Sequence, residues 1–257
     1  MEKKPAQIDI HSFPPGIQNL LANANVYDSS CSSSANVLYL DTGYYLKMDD
    51  PGLLAGEAEL GRFFHSRGLG VEVIDYISGD QDYLITRSAV GADLTHFLHD
   101  PEKLCGLLAA SLRKLHSQSV RGAPLSSRFQ RYMDSADGDY SGGHYDESVL
   151  MDRFMVNSKE EAWALMQSGR HLLRADTLIH GDACLPNIIQ DQGRFSAFID
   201  FNMSGIGDRH IDLYWAIWSL QYNLKTDAWT DLLLDMYGRE HISEEALRVV
   251  AAFELFG

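Results

Sequence analysis

The feature that most limits the fold is a change of hydrophobic pattern at Gly91. Ahead of it, runs of β-formers at 36–41 and 44–48 are separated by Thr42-Gly43, a hairpin signal. Residues 53–67 put Leu53, Leu54, Leu60, Phe63 and Phe64 largely on one helical face, with Gly68 placed to stop the helix. Strand-like runs follow at 71–77 and 83–87, on either side of the turn Ser78-Gly-Asp80. The first ninety residues therefore read as a small antiparallel sheet carrying one helix.

Beyond Gly91 the apolar residues repeat at helical spacing. Leu104, Leu107, Leu108, Leu112 and Leu115 mark a helix over 101–118. Ser158-Lys-Glu-Glu161 has the form of a capping box and opens a helix to about residue 173. Three more helices are expected over 211–223, 227–237 and 243–256, whereas the polar, glycine-bearing stretch 135–143 reads as a mobile loop. A β-patch interrupts this half at 178–179, 187–190 and 195–200, with a turn at Asp191-Gln-Gly193. The expected fold class is α+β in two lobes, a β-rich N-lobe over 1–89 and a helical C-lobe over 90–257. A hydrophobic fraction of 45% supplies enough material for such cores.

Composition narrows the partners. With 21 Lys+Arg against 36 Asp+Glu the formal charge is −15, so a duplex-tracking nucleic-acid binder, which needs a basic face, is disfavoured. Surplus carboxylates either keep the chain soluble or favour cationic ligands. The cysteines Cys31, Cys105 and Cys184 form no CxxC pair, which argues against a disulfide framework or a zinc ribbon. No apolar stretch approaches the roughly 20 residues of a membrane span, and the N-terminus lacks the apolar core of a signal peptide. A cytoplasmic protein without membrane or nucleic-acid partners is expected.

The chemistry concentrates in one segment, which opens His180-Gly-Asp-Ala-Cys-Leu-Pro-Asn187 and closes Phe198-Ile-Asp200. Asn187 follows Asp182 by five residues and Asp200 follows it by eighteen. Phosphoryl transfer needs a carboxylate near the attacking hydroxyl and oxygen ligands for Mg²⁺ on the nucleotide phosphates. A loop with Asp and Asn five apart can place the first at the acceptor and the second on the metal, and a hairpin can return a second Asp to that metal. A His-x-Asp pair also fits a metallohydrolase, but no further His or Asp cluster supplies the remaining ligands.

This segment resembles the kinase-like phosphotransferases, most closely the aminoglycoside O-phosphotransferases acting on the 3′-hydroxyl. The similarity continues through Gly205-Ile-Gly-Asp-Arg-His-Ile-Asp-Leu213 and covers nearly the whole chain, most strongly over 180–213. It implies a bilobal protein-kinase-like fold, ATP or GTP as phosphoryl donor, Mg²⁺ as cofactor, and a monomer or weak dimer. It also implies that Asp182 is the catalytic base or acceptor-orienting carboxylate, that Asn187 and Asp200 hold Mg²⁺, and that His180 braces the loop. Asp212 would anchor the loop through hydrogen bonds without touching substrate. By the same resemblance Lys47 contacts the nucleotide phosphates and is fixed by Glu57, with Glu59 as the fallback. Ser33, in the loop Ser33-Ser-Ala-Asn-Val37, would cover the phosphates, and the backbone around Arg87 and Ala89 would take the adenine edge.

For a polycationic acceptor the resemblance points to Asp146 and Glu147 in His144-Tyr-Asp-Glu-Ser148, and to Glu254 in Ala252-Phe-Glu-Leu-Phe256. Phe253 stands where the family commonly has an aspartate, His144 replaces an acidic residue, and Asn202 replaces a glycine. These departures bear on acceptor range more than on catalysis. Two rivals follow. One is a kinase of the same fold with another acceptor, such as choline, a thiosugar, a homoserine-like alcohol or a macrolide; Tyr145, Trp215, Trp218 and Tyr222 could supply a cage for a quaternary ammonium. The other is a catalytically silent nucleotide-binding protein.

Overall fold

A computed structural model describes residues 3–30, 36–124 and 128–257. The chain parts into two compact units, Met1–Val90 and Gly91–Gly257.

The first unit holds β1 (Lys4–Pro5), α1 (Pro15–Leu21), β2 (Val26–Asp28), β3 (Asn36–Leu40), β4 (Tyr44–Asp49), α2 (Ala55–Ser66), β5 (Val73–Ser78) and β6 (Asp82–Arg87). The strands form one antiparallel sheet in the order β1-β2-β3-β4-β6-β5. Leu40 pairs with Tyr44 across the β3–β4 turn, where Gly43 takes φ +92°. Because strand side chains alternate between faces, Leu38, Leu40, Leu46 and Ile85 pack with Ile17 and Leu21 of α1, while Leu84 packs with Leu54 and Ala58 at α2. The expectation of a single helix here is thus corrected. At seven residues α1 is too short to show a clear period, and it forms because its two buried residues complete the second face of the sheet. The second helix also starts later than expected, at Ala55, and Leu53 is left exposed.

The second unit holds β7 (Ala92–Asp93), α3 (Pro101–His116), α4 (Arg128–Gly142), α5 (Lys159–Gly169), β8 (Thr177–Ile179), β9 (Ile188–Asp191), β10 (Arg194–Phe198), β11 (Gly205–Gly207), α6 (Arg209–Leu224), α7 (Thr230–Tyr237) and α8 (Glu244–Glu254). Two small sheets, β10-β9-β7 and β11-β8, lie among the helices. The N-cap half of the capping box forms at α5, where the Glu161 N–H donates to Ser158 Oγ at 3.1 Å; the Glu161 carboxylate reaches one residue further than the box requires and accepts the N–H of Asn157 at 3.2 Å.

The loop expected over 135–143 is instead the second half of α4. Arg128, Tyr132, Met133 and Ala136 make a narrow buried stripe at helical spacing, most of it upstream of the polar window. Tertiary contacts then hold the polar half. Tyr140 stacks on Trp163 with centroids 4.0 Å apart, and Arg170 bonds Asp137 at 2.7 Å. Among the described residues no helix is long and apolar enough to cross a membrane.

Candidate active site

The residues singled out by sequence divide between the two units. In the first, Lys47 follows Leu46 on β4 and so points to the face that α2 covers. Its Nζ lies 2.8 Å from Glu57 Oε2, a nearly buried, charge-assisted hydrogen bond. Glu59 is exposed, so Glu57 is the partner. The start of α2 is fixed by Asp82, which is fully buried. Its carboxylate accepts the N–H groups of Gly52 and Leu54 at 2.9 and 3.0 Å and the hydroxyls of Tyr76 and Ser78 at 2.9 and 2.6 Å. Burial pushes the Asp82 carboxyl up, but these four hydrogen bonds outweigh it and hold the group below the usual range. Nothing in the local sequence distinguishes Asp82 from an ordinary turn residue.

Arg87 closes β6: its N–H donates to Glu72 O at 2.9 Å and its side chain pairs with Glu72 at 2.8 Å. Ala89 lies past the end of that strand. Ser33 lies outside the described residues. Just before it, Ser29 N–H donates to Val37 O at 2.8 Å, and Ser30 Oγ accepts the N–H of Val37 at 3.0 Å.

In the second unit Asp182, Asn187 and Asp200 come together around one loop. Asn187 Nδ2 donates to the Asp182 carboxylate at 2.9 Å and to the Asp182 carbonyl at 3.0 Å. This use of both amide protons turns Asn187 Oδ1 into the group able to face a cation. Ile199 N–H donates to Asn187 O at 3.0 Å, which brings Asp200 alongside. Asp200 is exposed at φ +64°, a backbone state that Asp tolerates better than most residues. The amide oxygen of Asn187 and the carboxylate of Asp200 are hard oxygen donors. They fit Mg²⁺, which takes one or two protein ligands and completes its shell with phosphate and water. Among the described residues no group of three or more His, Cys, Asp and Glu is placed to hold a metal ion.

The loop itself is held from behind. Asp212, fully buried on α6, accepts the N–H groups of His180 and Gly181 at 2.8 and 2.6 Å. It also accepts His116 Nε2 at 3.0 Å, while His116 Nδ1 meets the Tyr237 hydroxyl at 2.8 Å. His180 Nε2 bonds Ile199 O at 2.9 Å, so the histidine braces the loop and the following strand. Gly181 sits at φ +82°, and a Cβ there would strike the Met203 carbonyl. That carbonyl accepts Nε–H of Arg128 at 3.0 Å. His116, Tyr237 and Arg128 carried no sequence signal, because each reaches the loop from a helix far along the chain.

The acceptor candidates occupy different settings. Asp146 and Glu147 are exposed, and Asp146 N–H donates to Leu255 O at 2.9 Å, joining this segment to the C-terminal helix. Glu254 is 5% exposed and accepts the Tyr132 hydroxyl at 2.9 Å. Burial pushes its carboxyl up to about 7. The hydrogen bond from Tyr132 and the Arg128 charge pull it back, and the negative charge of Asp182 adds to the rise. The native state therefore holds this proton more tightly than the unfolded chain, whose carboxyl sits near 4.5. The associated stability is complete below that value and is lost as pH rises through about 7. Glu254→Gln is expected to flatten this decline by about 2 kcal/mol. Urea midpoints at pH 5 and 8 would check it, and equal slopes for both proteins would refute it.

A braced loop that joins a carboxylate to two oxygen donors for a cation, in a chain that also carries a paired strand lysine, defines a phosphotransferase of the protein-kinase-like class. The chain belongs to the phosphotransferase enzyme family (APH), which it matches over residues 29–253. It is 38% identical over 259 residues to a probable aminoglycoside 3′-phosphotransferase of Lactococcus lactis subsp. lactis, covering 99% of this chain and 98% of that one. It is 28% identical over 180 residues to the aminoglycoside 3′-phosphotransferase of Niallia circulans, covering 69% and 68%. Among solved structures, the aminoglycoside phosphotransferase APH(3″)-Id of Streptomyces rimosus superposes with a TM-score of 0.75 at 18% identity, over 98% of this chain and 100% of that one. A choline/ethanolamine kinase family protein of Mesorhizobium loti gives 0.64 at 17%, over 89% and 75%. At such identities these two show the shared fold.

Proposed function

We propose that this enzyme transfers the γ-phosphoryl group of ATP or GTP to the 3′-hydroxyl of an aminoglycoside, a reaction that disarms the antibiotic. The observation that carries the reading is Asp182, tied to Asn187 and within electrostatic reach of the buried carboxyl of Glu254. Such an arrangement sets a proton acceptor beside a group suited to an ammonium-bearing sugar. The relatives named for aminoglycoside 3′-phosphotransfer support the same acceptor.

Asp182 orients the hydroxyl and takes its proton as the oxygen–phosphorus bond forms and the bond from the γ-phosphorus to the bridging oxygen breaks, with ADP or GDP leaving. Asn187 and Asp200 hold Mg²⁺, which when bound neutralises the phosphate oxygens. Lys47, kept in place by Glu57, meets the phosphates, while Arg87 and Ala89 present backbone to the adenine edge and Ser33 covers the phosphate chain. Asp146 and Glu147 take acceptor ammonium groups together with Glu254. Transfer in line needs positioning and charge neutralisation, so no phosphoenzyme is formed. An enzyme drawing on ATP or GTP works where those nucleotides are abundant, in the cytoplasm.

The test is release of ADP or GDP with Mg²⁺, comparing kanamycin with tobramycin, which lacks the 3′-hydroxyl. Turnover of kanamycin alone is expected, with the position of the phosphate read by NMR of the product. Turnover of both would keep the acceptor class and move the site of attack. Turnover of neither would overturn the acceptor and direct the search to another alcohol, choline among them.

A further inference from the structure

We propose that a row of aromatic side chains along α6 is a stacking subsite for an amino-sugar ring of the acceptor, a ring remote from the hydroxyl that receives the phosphoryl group. The proposal rests on the acceptor reading above. Trp215, Trp218 and Tyr222 are spaced three and four residues apart and so share one helix face. Trp215 and Trp218 meet edge to face with centroids 5.5 Å apart, and Trp218 and Tyr222 stack at 5.0 Å and 12°.

The two ends of the row differ. At the inner end the Trp215 carbonyl accepts Cys184 Sγ–H at 3.9 Å, two residues past Asp182 on the loop that carries the chemistry. At the outer end Tyr222 is 58% exposed. With Leu185 N–H also donating to Ser219 Oγ at 3.0 Å, the row leads from the loop that carries Asp182 towards solvent, the path along which the rest of a multi-ring acceptor must extend. Its middle is tied to the acidic segment, since Trp218 Nε1–H donates to Ser148 O at 3.3 Å and Asp146 and Glu147 immediately precede that residue.

The chain's own ammonium groups already use the outermost ring of the row and a tyrosine of the neighbouring acidic segment. Lys225 Nζ lies 4.0 Å from the Tyr222 centroid, and Lys159 Nζ lies 5.3 Å from that of Tyr145, next to Asp146. An amino sugar offers a face of C–H groups together with ammonium substituents. The first suits stacking on indole and the second suits cation–π contact, with Asp146 and Glu147 left to take the remaining positive charge. An aliphatic or anionic acceptor would use neither feature.

The experiment compares kanamycin, with three rings, and neamine, with two, both bearing the 3′-hydroxyl. Steady-state constants are measured for the wild type, Trp218→Leu and Trp218→Phe. In Trp218→Leu the KM advantage of kanamycin over neamine is expected to shrink about tenfold, the size of one partly desolvated cation–π contact. The change should fall on KM much more than on kcat, because the ring concerned does not react. Trp218→Phe should recover most of it. An unchanged kanamycin-to-neamine ratio in Trp218→Leu would overturn the subsite while leaving the acceptor reading intact. A wild type that phosphorylates neither compound would overturn both. If Trp218→Leu also loses nucleotide binding, and so has not folded, Tyr222→Ser at the exposed end reads the same ratio, and an unchanged value there likewise overturns the subsite.

Discussion

Asp182→Asn is expected to lower kcat by roughly 10²-fold or more while leaving nucleotide affinity close to that of the wild type. The substitution is nearly isosteric and keeps an oxygen to accept Asn187 Nδ2, now 2.9 Å away, so the loop should hold its shape. What disappears is the carboxylate proposed to take the proton of the attacking hydroxyl. A second reading accompanies the first. The charge of Asp182 contributes to the raised carboxyl of Glu254, so its removal should let Glu254 ionise at lower pH. Single-turnover rates and nucleotide titrations, followed across pH, separate these effects. Full activity in this variant would remove Asp182 from its assigned role.

Asp212→Ala should be the most damaging single change to the scaffold. It would orphan the buried N–H groups of His180 and Gly181 together with His116 Nε2. Each unsatisfied buried donor costs about 1–3 kcal/mol, and the costs are less than additive where donors share one acceptor, so a total of about 4 kcal/mol is expected. The damage should appear first in the loop. Amide exchange across residues 178–187 should accelerate, and kcat should fall with it, even where nucleotide still binds the first unit. Protection of that segment at the wild-type level would show that the loop is held by other means, among them Ser204 Oγ to His180 O at 2.7 Å, Leu185 N–H to Ser219 Oγ at 3.0 Å and His180 Nε2 to Ile199 O at 2.9 Å.

How much of this was legible in the sequence depended on the range of the interactions involved. The β3–β4 hairpin, α2, α3 and the capped start of α5 could be read directly, because period, turn residues and caps act within a few positions. Asp182, Asn187 and Asp200 stood out for the same reason, as their spacing on one loop and one hairpin is itself the signal. The polar half of α4, over 135–142, has a loop's composition because what stabilises it as helix is Trp163 and Arg170, more than twenty residues further along the chain. Likewise α1 exists by virtue of the sheet face that it covers.

The sequence on its own determined the two-part architecture, the loop that carries the chemistry and the excess of carboxylates suited to a cationic acceptor. Tertiary structure alone decided which glutamate meets Lys47, that Asp82 and Asp212 are buried anchors, and that Glu254 is enclosed beside Tyr132 with its carboxyl pushed up to about 7. The physical reason is that a carboxylate's role follows from its burial and from the donors around it, and these come from elements well separated in the chain, such as Leu54 to Asp82, His180 and His116 to Asp212, and Tyr132 to Glu254.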